Sequence, residues 1–500
     1  MRAYLDIKDF YDVFRAVQEA GIFDDQKTMA DAVPLFPVQE IQKNFNEQKG
    51  QDDFNLREFV LQNFKIEKTY ERSEIAHSGK LAIHEHIENL WSLLERTASN
   101  SEGSLLQLPN PYIVPGGRFT EFFYWDSYFI MLGLQAVGNI AMMKNVVENC
   151  SYLINNYGFV PNASRSYFLT RSQPPYFSLM LDLIYKSAND EKIYVTYFHT
   201  LEKEYEFWMS GQEELENGNA IFRVLKTSDG AILNRYYDAE NLPRPESYAI
   251  DVKDSQRSEN PEFFRCIRAA CESGWDFSSR WFEDGKHIET INTLDLAPVD
   301  LNCLLHHLEK TLAKAATING DADLGNKYQL LAARRQTHID TYFWDPDSKI
   351  YRDFNFIKNK VTHSEHIASL YPMFLKLSNN KQAQEISKVI QEKFLYPGGL
   401  MTTTQKSGQQ WDFPNAWAPN QWIGYIAMKN YGYENLADQI KTYWSKNVER
   451  VYKNTGKLME KYNAVDVETL AGGGEYPNQD GFGWTNGVYY ALNCSNVPID

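Results

Sequence analysis

Residues 301–312 read Leu301-Asn302-Cys303-Leu304-Leu305-His306-His307-Leu308-Glu309-Lys310-Thr311-Leu312. The leucines fall at i, i+3, i+4, i+7 and i+11. That spacing places them on one face of a 3.6-residue helix and fits no strand, whose side chains alternate every second position. Ile386, Val389, Ile390 and Phe394 repeat the pattern. Ser187 to Asp190 and Asn319-Gly320-Asp321 read as polar turns between consecutive helices. The longest apolar stretch, Tyr128 to Met143, contains Gln135 and Asn139 and is too short to span a bilayer, so it is predicted to be a buried helix. Clean alternation is scarce, and Ala220 to Leu225 is the candidate for a short strand. The chain has no low-complexity tract, long Pro or Ser linker, or close internal repeat. Helices of roughly 12–20 residues without a seam predict one large all-α domain. The Pro- and Gly-rich segments sit between helices and are candidate active-site loops.

Of the 500 residues, 43% are hydrophobic and 14% aromatic, enough for a large core, and mean hydropathy is −0.50. A net charge of −16 repels phosphate backbones and anionic lipid, which argues against nucleic acid and membranes as partners. The five cysteines, Cys150, Cys266, Cys271, Cys303 and Cys494, are odd in number and include no CxxC, so reduced thiols are expected. The N-terminal residues mix charges and show no apolar signal region. Cytoplasmic residence is therefore expected, or the periplasm if a leader has been removed.

Four segments concentrate chemistry. PGGRFTEFFYWDSY (115–128) sets a Gly-Gly turn before Arg118, two acids and a run of aromatics. A guanidinium offers a planar fork of donors to vicinal hydroxyls, and rings offer faces to pyranose C–H groups. The plainer possibility is a loop entering a buried helix with Arg118 and Glu121 paired. QWDFPNAWAPNQW (410–422) is a stiff loop with three Trp and two Pro, suited to packing as well as to a site. AGGGEYPNQDGFGWTNG (471–487) has a glycine run beside acids, but no Lys-Ser/Thr follows it, so it is not a phosphate loop. SGWDFSSRW (273–281) places Asp276 among aromatics, surroundings that raise a carboxyl pKa toward that of a general acid. A helix cap or an Asp276–Arg280 pair fits that segment equally well. His363-Ser364-Glu365-His366 and His84-Glu85-His86 lack metalloprotease spacing, the Asp-rich pairs do not continue as calcium loops, and no GxSxG occurs.

Together these segments resemble the trehalase family of glycoside hydrolases. Residues 115–128 match its PGGRF-x-E-x-Y/F-x-WD-x-Y signature, 410–419 its QWD-x-P-x-x-WAP signature, and 472–488 its glycine-rich GGGEY segment. DQKTMADA (25–32), RPES (244–247) and SGWDFSSRW add support, so the resemblance spans almost the whole chain. It implies an (α/α)6 barrel, a six-hairpin toroid with the site at one end. A single catalytic domain over 1–500 is expected, with residues 1–60 wrapping it as an N-terminal extension. It implies inverting hydrolysis of α,α-trehalose to two glucose molecules, with no cofactor, no metal and a monomeric enzyme. By motif, Asp276 takes the role of general acid and Glu460 that of general base. Implied substrate-binding residues are Arg118, Phe119, Trp125, Asp126, Asn162, Arg171, Gln173, Arg244, Glu246, Gly274, Trp411 and Glu475.

Departures are Ala416 where the family often has Gly, Asn463 where Asp is usual, and a short glycine run before Glu475; they bear on loop shape. Residue patterns alone favour Glu475 as the base, because its motif is the stronger; the resemblance favours Glu460. A related α-glucosidase on the same barrel and a non-catalytic trehalose-binding or sensing protein are the alternatives.

Overall fold

A computed structural model describes residues 4–66, 81–98 and 101–493. Twelve helices build its body: α1 (Ile83–Leu94), α2 (Tyr124–Ala136), α3 (Ile140–Tyr157), α4 (Phe177–Ala188), α5 (Phe198–Met209), α6 (Val299–Ile318), α7 (Ala322–Tyr342), α8 (Tyr371–Phe374), α9 (Asn380–Val389), α10 (Ala418–Asn430), α11 (Glu434–Thr455) and α12 (Gly483–Asn493). Six of them close a circle. Helix α2 packs on α4, α4 on α6, α6 on α8, α8 on α10, α10 on α12, and α12 returns to α2. Helices α3, α5, α7, α11 and α1 pack outside α2, α6, α6, α10 and α12 respectively, and α9 follows α8 against the short strand Ile350–Tyr351. This double ring is the (α/α)6 barrel.

The two rings differ as their sequences do. Outer α7 buries Gly325, Tyr328, Ala332, Arg335 and Ile339, a single stripe at helical spacing. Inner α2 is buried all round from Tyr124 to Leu134. The leucines of 301–312 lie in inner α6, but so do buried Asn302, Cys303, His306 and Glu309, so only a narrow stripe through Lys310, Lys314 and Thr317 reaches solvent. Its polar groups are therefore matched internally: Asn302 Nδ2 donates to the carbonyls of Asn234 and Pro298 at 3.0 and 2.8 Å, and Glu309 pairs with Arg335 at 2.8 Å.

The stretch 128–143, expected as one buried helix, is two. Gly138 adopts φ +74° and the Asn139 side chain accepts from the Met142 N–H, which ends inner α2 and caps outer α3. The ring's closing contact needs bare backbone. A Cβ on Gly133 of α2 would stand 2.6 Å from Gly487 Cα, and one on Gly487 of α12 would stand 2.1 Å from the Phe129 carbonyl oxygen.

Short strands tie the loops. Val224–Lys226 pairs with Ala220–Ile221 on one side and Ile232–Asn234 on the other, so the expected strand region forms a small three-stranded sheet. Strand β1 (Asn415–Trp417) pairs antiparallel with β2 (Lys461–Asn463), with Ala416 opposite Tyr462 and Trp417 opposite Lys461. A second apolar cluster joins the N-terminal segment to the barrel, with Phe10, Val13, Phe14 and Val17 packed beside Phe123, Phe168 and Tyr248. Cys150, Cys266, Cys271 and Cys303 are buried free thiols, and Cys494 lies outside the described residues. Among the described residues no helix is long and apolar enough to cross a membrane.

Candidate active site

The loops that lead into the inner helices converge at one end of the barrel. Arg118 and Phe119 precede α2, while Trp125 and Asp126 lie in its first turn. Asn162, Arg171 and Gln173 precede α4, Trp411 precedes α10, and Glu475 precedes α12. Arg244 caps a turn at Pro245–Ser247 that contains Glu246, and Gly274 and Asp276 follow the helix Phe263–Glu272. All fourteen residues nominated from the sequence line one chamber. Lys27, Phe123, Phe168, Ser247, Cys271, Trp417, Tyr476, Phe482 and Trp484 line it as well. A second, outer cavity shares Arg118, Phe119, Glu246, Ser247, Glu475 and Tyr476 with the chamber and extends past Asp24, Asp25 and Lys457.

Asp276 is held through its neighbours. Gly274, at φ +76°, lies where a Cβ would come within 2.7 Å of the Trp125 ring, so glycine lets the loop seat against α2. Trp411 N–H donates to the Phe277 carbonyl at 3.0 Å. Asp412 accepts from Ser278 Oγ, Ser279 N–H and Thr403 Oγ1 at 2.7, 2.8 and 2.9 Å. These bonds rivet the 273–281 loop to the 403–412 loop. Asp276 itself is half-buried at the chamber wall, and loss of solvent around its carboxyl pushes its pKa up to about 7; Arg244 opposes the rise and Glu475 adds to it. The pairing with Arg280 does not form, because Arg280 is committed to Asp300 at 2.8 Å and Asp353 at 2.7 Å.

The two candidate bases differ in what their oxygens do. Glu475 has both occupied: Arg244 Nη2 donates to Oε1 at 2.7 Å and Ser247 Oγ to Oε2 at 3.0 Å. Glu460, immediately before β2, receives Tyr476 OH on Oε1 at 3.0 Å, whereas buried Oε2 has no hydrogen-bond partner among the described residues. Burial raises the Glu460 pKa; Lys461, the Tyr476 hydroxyl, the Gln479 backbone and Arg118 oppose that rise. Asp126 is raised well above the usual carboxyl range by burial, with Glu460 and Asp276 adding to the effect.

Three arginines are aimed by acids. Arg118 is forked by Asp25 at 2.9 and 2.6 Å and lies over the Tyr476 ring at 4.7 Å, so its partner is Asp25 and not Glu121. Glu121 instead takes Lys27 at 3.0 Å in a buried cluster with Arg165. Arg171 donates to Asn162 Oδ1 at 2.8 Å and Glu246 Oε1 at 2.7 Å. Against the cost of burial, Arg171, Arg244 and Arg268 hold the Glu246 carboxyl below its ordinary pKa, and its Oε2 has no hydrogen-bond partner among the described residues. Arg244 is gripped by buried Asp251, with Nη2 to Oδ1 at 2.6 Å and the Arg244 backbone N–H to Oδ2 at 2.8 Å. Gln173 Oε1 accepts the Trp125 N–H at 3.0 Å.

Trp411 packs within a stack of indoles. Trp417 covers one of its faces at 4.0 Å, nearly parallel, and Trp275 covers the other at 5.3 Å. Trp411 therefore gives the chamber an edge and not a face. Sequence reasoning passed over Tyr476, although it adjoins Glu475 in the glycine-rich motif, and over Asp25, which opens the supporting 25–32 segment. Asp251 carries no local signal, since only the fold brings it to Arg244.

A family model described as trehalase matches residues 2–494. A periplasmic trehalase of Escherichia coli O45:K1 (strain S88 / ExPEC) is 42% identical over an alignment covering 97% of this chain and 88% of that protein. A periplasmic trehalase of Shigella flexneri serotype 5b (strain 8401) has the same identity and coverage. Among solved structures, neutral trehalase from Saccharomyces cerevisiae superposes with a TM-score of 0.64 at 25% identity, covering 82% of this chain and 80% of that one. A mannosylglycerate hydrolase from Thermus thermophilus, solved with glucose, reaches 0.54 at 14% identity over 82% of this chain and 99% of its own, a likeness of fold. With its barrel, its chamber and a family match over nearly its full length, the chain belongs to the trehalase family.

Proposed function

We propose that this chain hydrolyses α,α-trehalose to two glucose molecules with inversion at the attacked anomeric carbon, Asp276 acting as general acid and Glu460 as general base. The observation that carries the reading is the contrast between the two carboxyls. Asp276 is desolvated enough to hold its pKa near 7 and so keeps a proton to give the glycosidic oxygen. Glu460 is anchored through one oxygen and leaves the other free to take a proton from an attacking water. Atoms balance simply: the anomeric C–O bond breaks, the leaving sugar takes the proton of Asp276, and water supplies hydroxyl to carbon and a proton to Glu460.

Glu246 suits a sugar hydroxyl as an acceptor, and Asp126, whose pKa burial raises, lines the same chamber to meet another. Arg118, Arg171 and Arg244 are pre-aimed, so little ordering remains when a disaccharide enters. We read the chain as a monomer with a single catalytic domain over 1–500 and residues 1–60 as its N-terminal extension. The cytoplasmic expectation finds no support among the relatives, whose names place them in the periplasm, and we assign this chain to that compartment. NMR of the first products tests the mechanism. One β- and one α-glucose per trehalose are expected; two α-glucose molecules would refute inversion.

A further inference from the structure

Lys461 follows Glu460 and opens β2, and its side chain has no solvent exposure. Its Nζ donates to Gln410 Oε1 at 2.6 Å and to the Gly473 carbonyl at 3.3 Å, and it stands 4.0 Å from Glu460 Oε2. It lies 5.3 Å from the Trp417 ring centre and 5.5 Å from that of Tyr476. An ammonium buried this deeply, with a neutral amide as its nearest partner, costs stability that packing alone would not require.

The Gln410 amide is oriented by that contact, because only its oxygen can accept from an ammonium. Its Nε2 therefore donates, reaching the Asp276 backbone carbonyl at 2.5 Å with Tyr476 OH at 3.5 Å. Tyr476 OH in turn donates to Glu460 Oε1. The circuit thus runs from the main chain of Asp276 through Gln410 to Lys461 and Tyr476, and from these to the carboxyl of Glu460. Neither Lys461 nor Gln410 lines the chamber.

Resting on the reading of Asp276 and Glu460 above, we propose that Lys461 and Gln410 are positioning residues: together they fix the placement of Asp276 relative to Glu460, and Lys461 supplies the counter-charge facing the base. The groups around Glu460 are Lys461 from β2, Tyr476 and the Gln479 backbone from the loop before α12, Arg118 from the loop before α2, and Asp126 from the first turn of α2. Lys461 is the nearest cation that no carboxylate already neutralises by a direct hydrogen bond, since Arg118 is forked by Asp25. Burial pushes the Lys461 ammonium pKa down, while Glu460 and Asp276 push it back up.

The test is trehalose hydrolysis by the full chain from acid to alkaline pH, with kcat and KM separated, for wild type, Lys461→Met, Lys461→Arg and Gln410→Leu. Lys461→Met moves the acidic limb of kcat/KM upward by about one pH unit or more, because the base loses its opposite charge. Lys461→Arg keeps the limb near the wild-type position. Gln410→Leu lowers kcat roughly ten- to a hundredfold with KM within about threefold, and leaves the limb nearer wild type than Lys461→Met does. A Lys461→Met enzyme with an unmoved limb overturns the counter-charge role, and Gln410→Leu with wild-type kcat overturns the bridge. Should Lys461→Met fail to fold, as read by thermal unfolding, Gln410→Leu and Lys461→Arg decide the matter. A wild type inert on trehalose would overturn the reading of the site itself, a different result from any of these.

Discussion

Arg244 donates to Glu475 across 2.7 Å while Ser247 holds that carboxylate's other oxygen at 3.0 Å. A carboxylate so committed is better placed to shape the pocket than to activate water. Glu460→Gln is therefore expected to lower kcat by roughly a thousandfold or more. Glu475→Gln acts mainly through KM. Steady-state kinetics of the two variants side by side separate the roles, and a larger kcat loss in Glu475→Gln would exchange them.

With Asp276 as the proposed acid, its proton is expected to set the alkaline limit. Its pKa near 7 places the descending limb of kcat/KM around neutrality, as the acid ionises and can no longer protonate the leaving sugar. A pH–rate profile checks this; full activity maintained to pH 9 would contradict it.

The same raised pKa carries a stability cost of definite sign. Between the ordinary carboxyl value and about 7 the folded chain binds a proton that the unfolded chain does not, so stability falls as pH rises through that window. Asp276→Asn removes the titration. It is expected to be inactive yet to melt higher than wild type at pH 8, with a smaller difference at pH 4. Calorimetry at the two values checks both the sign and the window.

Asp251 lies outside the chamber and grips Arg244 by side chain and backbone. Asp251→Asn leaves a buried guanidinium short of charge and costs about 3 kcal/mol of stability. Loss of aim at Arg244 is expected to raise KM for trehalose roughly tenfold, about 1.4 kcal/mol. Urea unfolding and kinetics read the two effects separately.

At the barrel seam, Gly487→Ala forces a methyl to within 2.1 Å of the Phe129 carbonyl. Overpacking there is expected to cost about 1–3 kcal/mol. A urea midpoint equal to wild type would show that the helices move apart freely.

The fold was legible because helical spacing recurs where it should, as at Leu301, Leu304, Leu305, Leu308 and Leu312. Which helices are inner was not, since an amphipathic stripe and a wholly buried helix share their apolar positions; Asn302 and Glu309 look solvated until Asn234 and Arg335 are found beside them. Gly138 was visible, but its left-handed turn was not, so two helices read as one. The chamber was legible through its motifs, which hold most of its residues within short segments. The partners were not: Asp25 and Asp251 meet Arg118 and Arg244 only after folding, and Trp411 loses its faces to Trp417 and Trp275 by packing that no spacing reveals.

Gly133 and Gly487 are 354 positions apart (487 minus 133), yet they form the contact that closes the inner ring. A ribosome must therefore deliver every residue through Gly487 before the toroid can shut. Until α12 arrives, the nascent arc of helices presents unsatisfied apolar flanks, a state prone to association. Glu460, Glu475 and Tyr476 all follow α11 in the chain, so a chain cut before residue 460 has neither a sealed barrel nor its proposed base. Sequence-distant closure of this kind makes folding slow, and it couples the arrival of α12 to the appearance of catalysis.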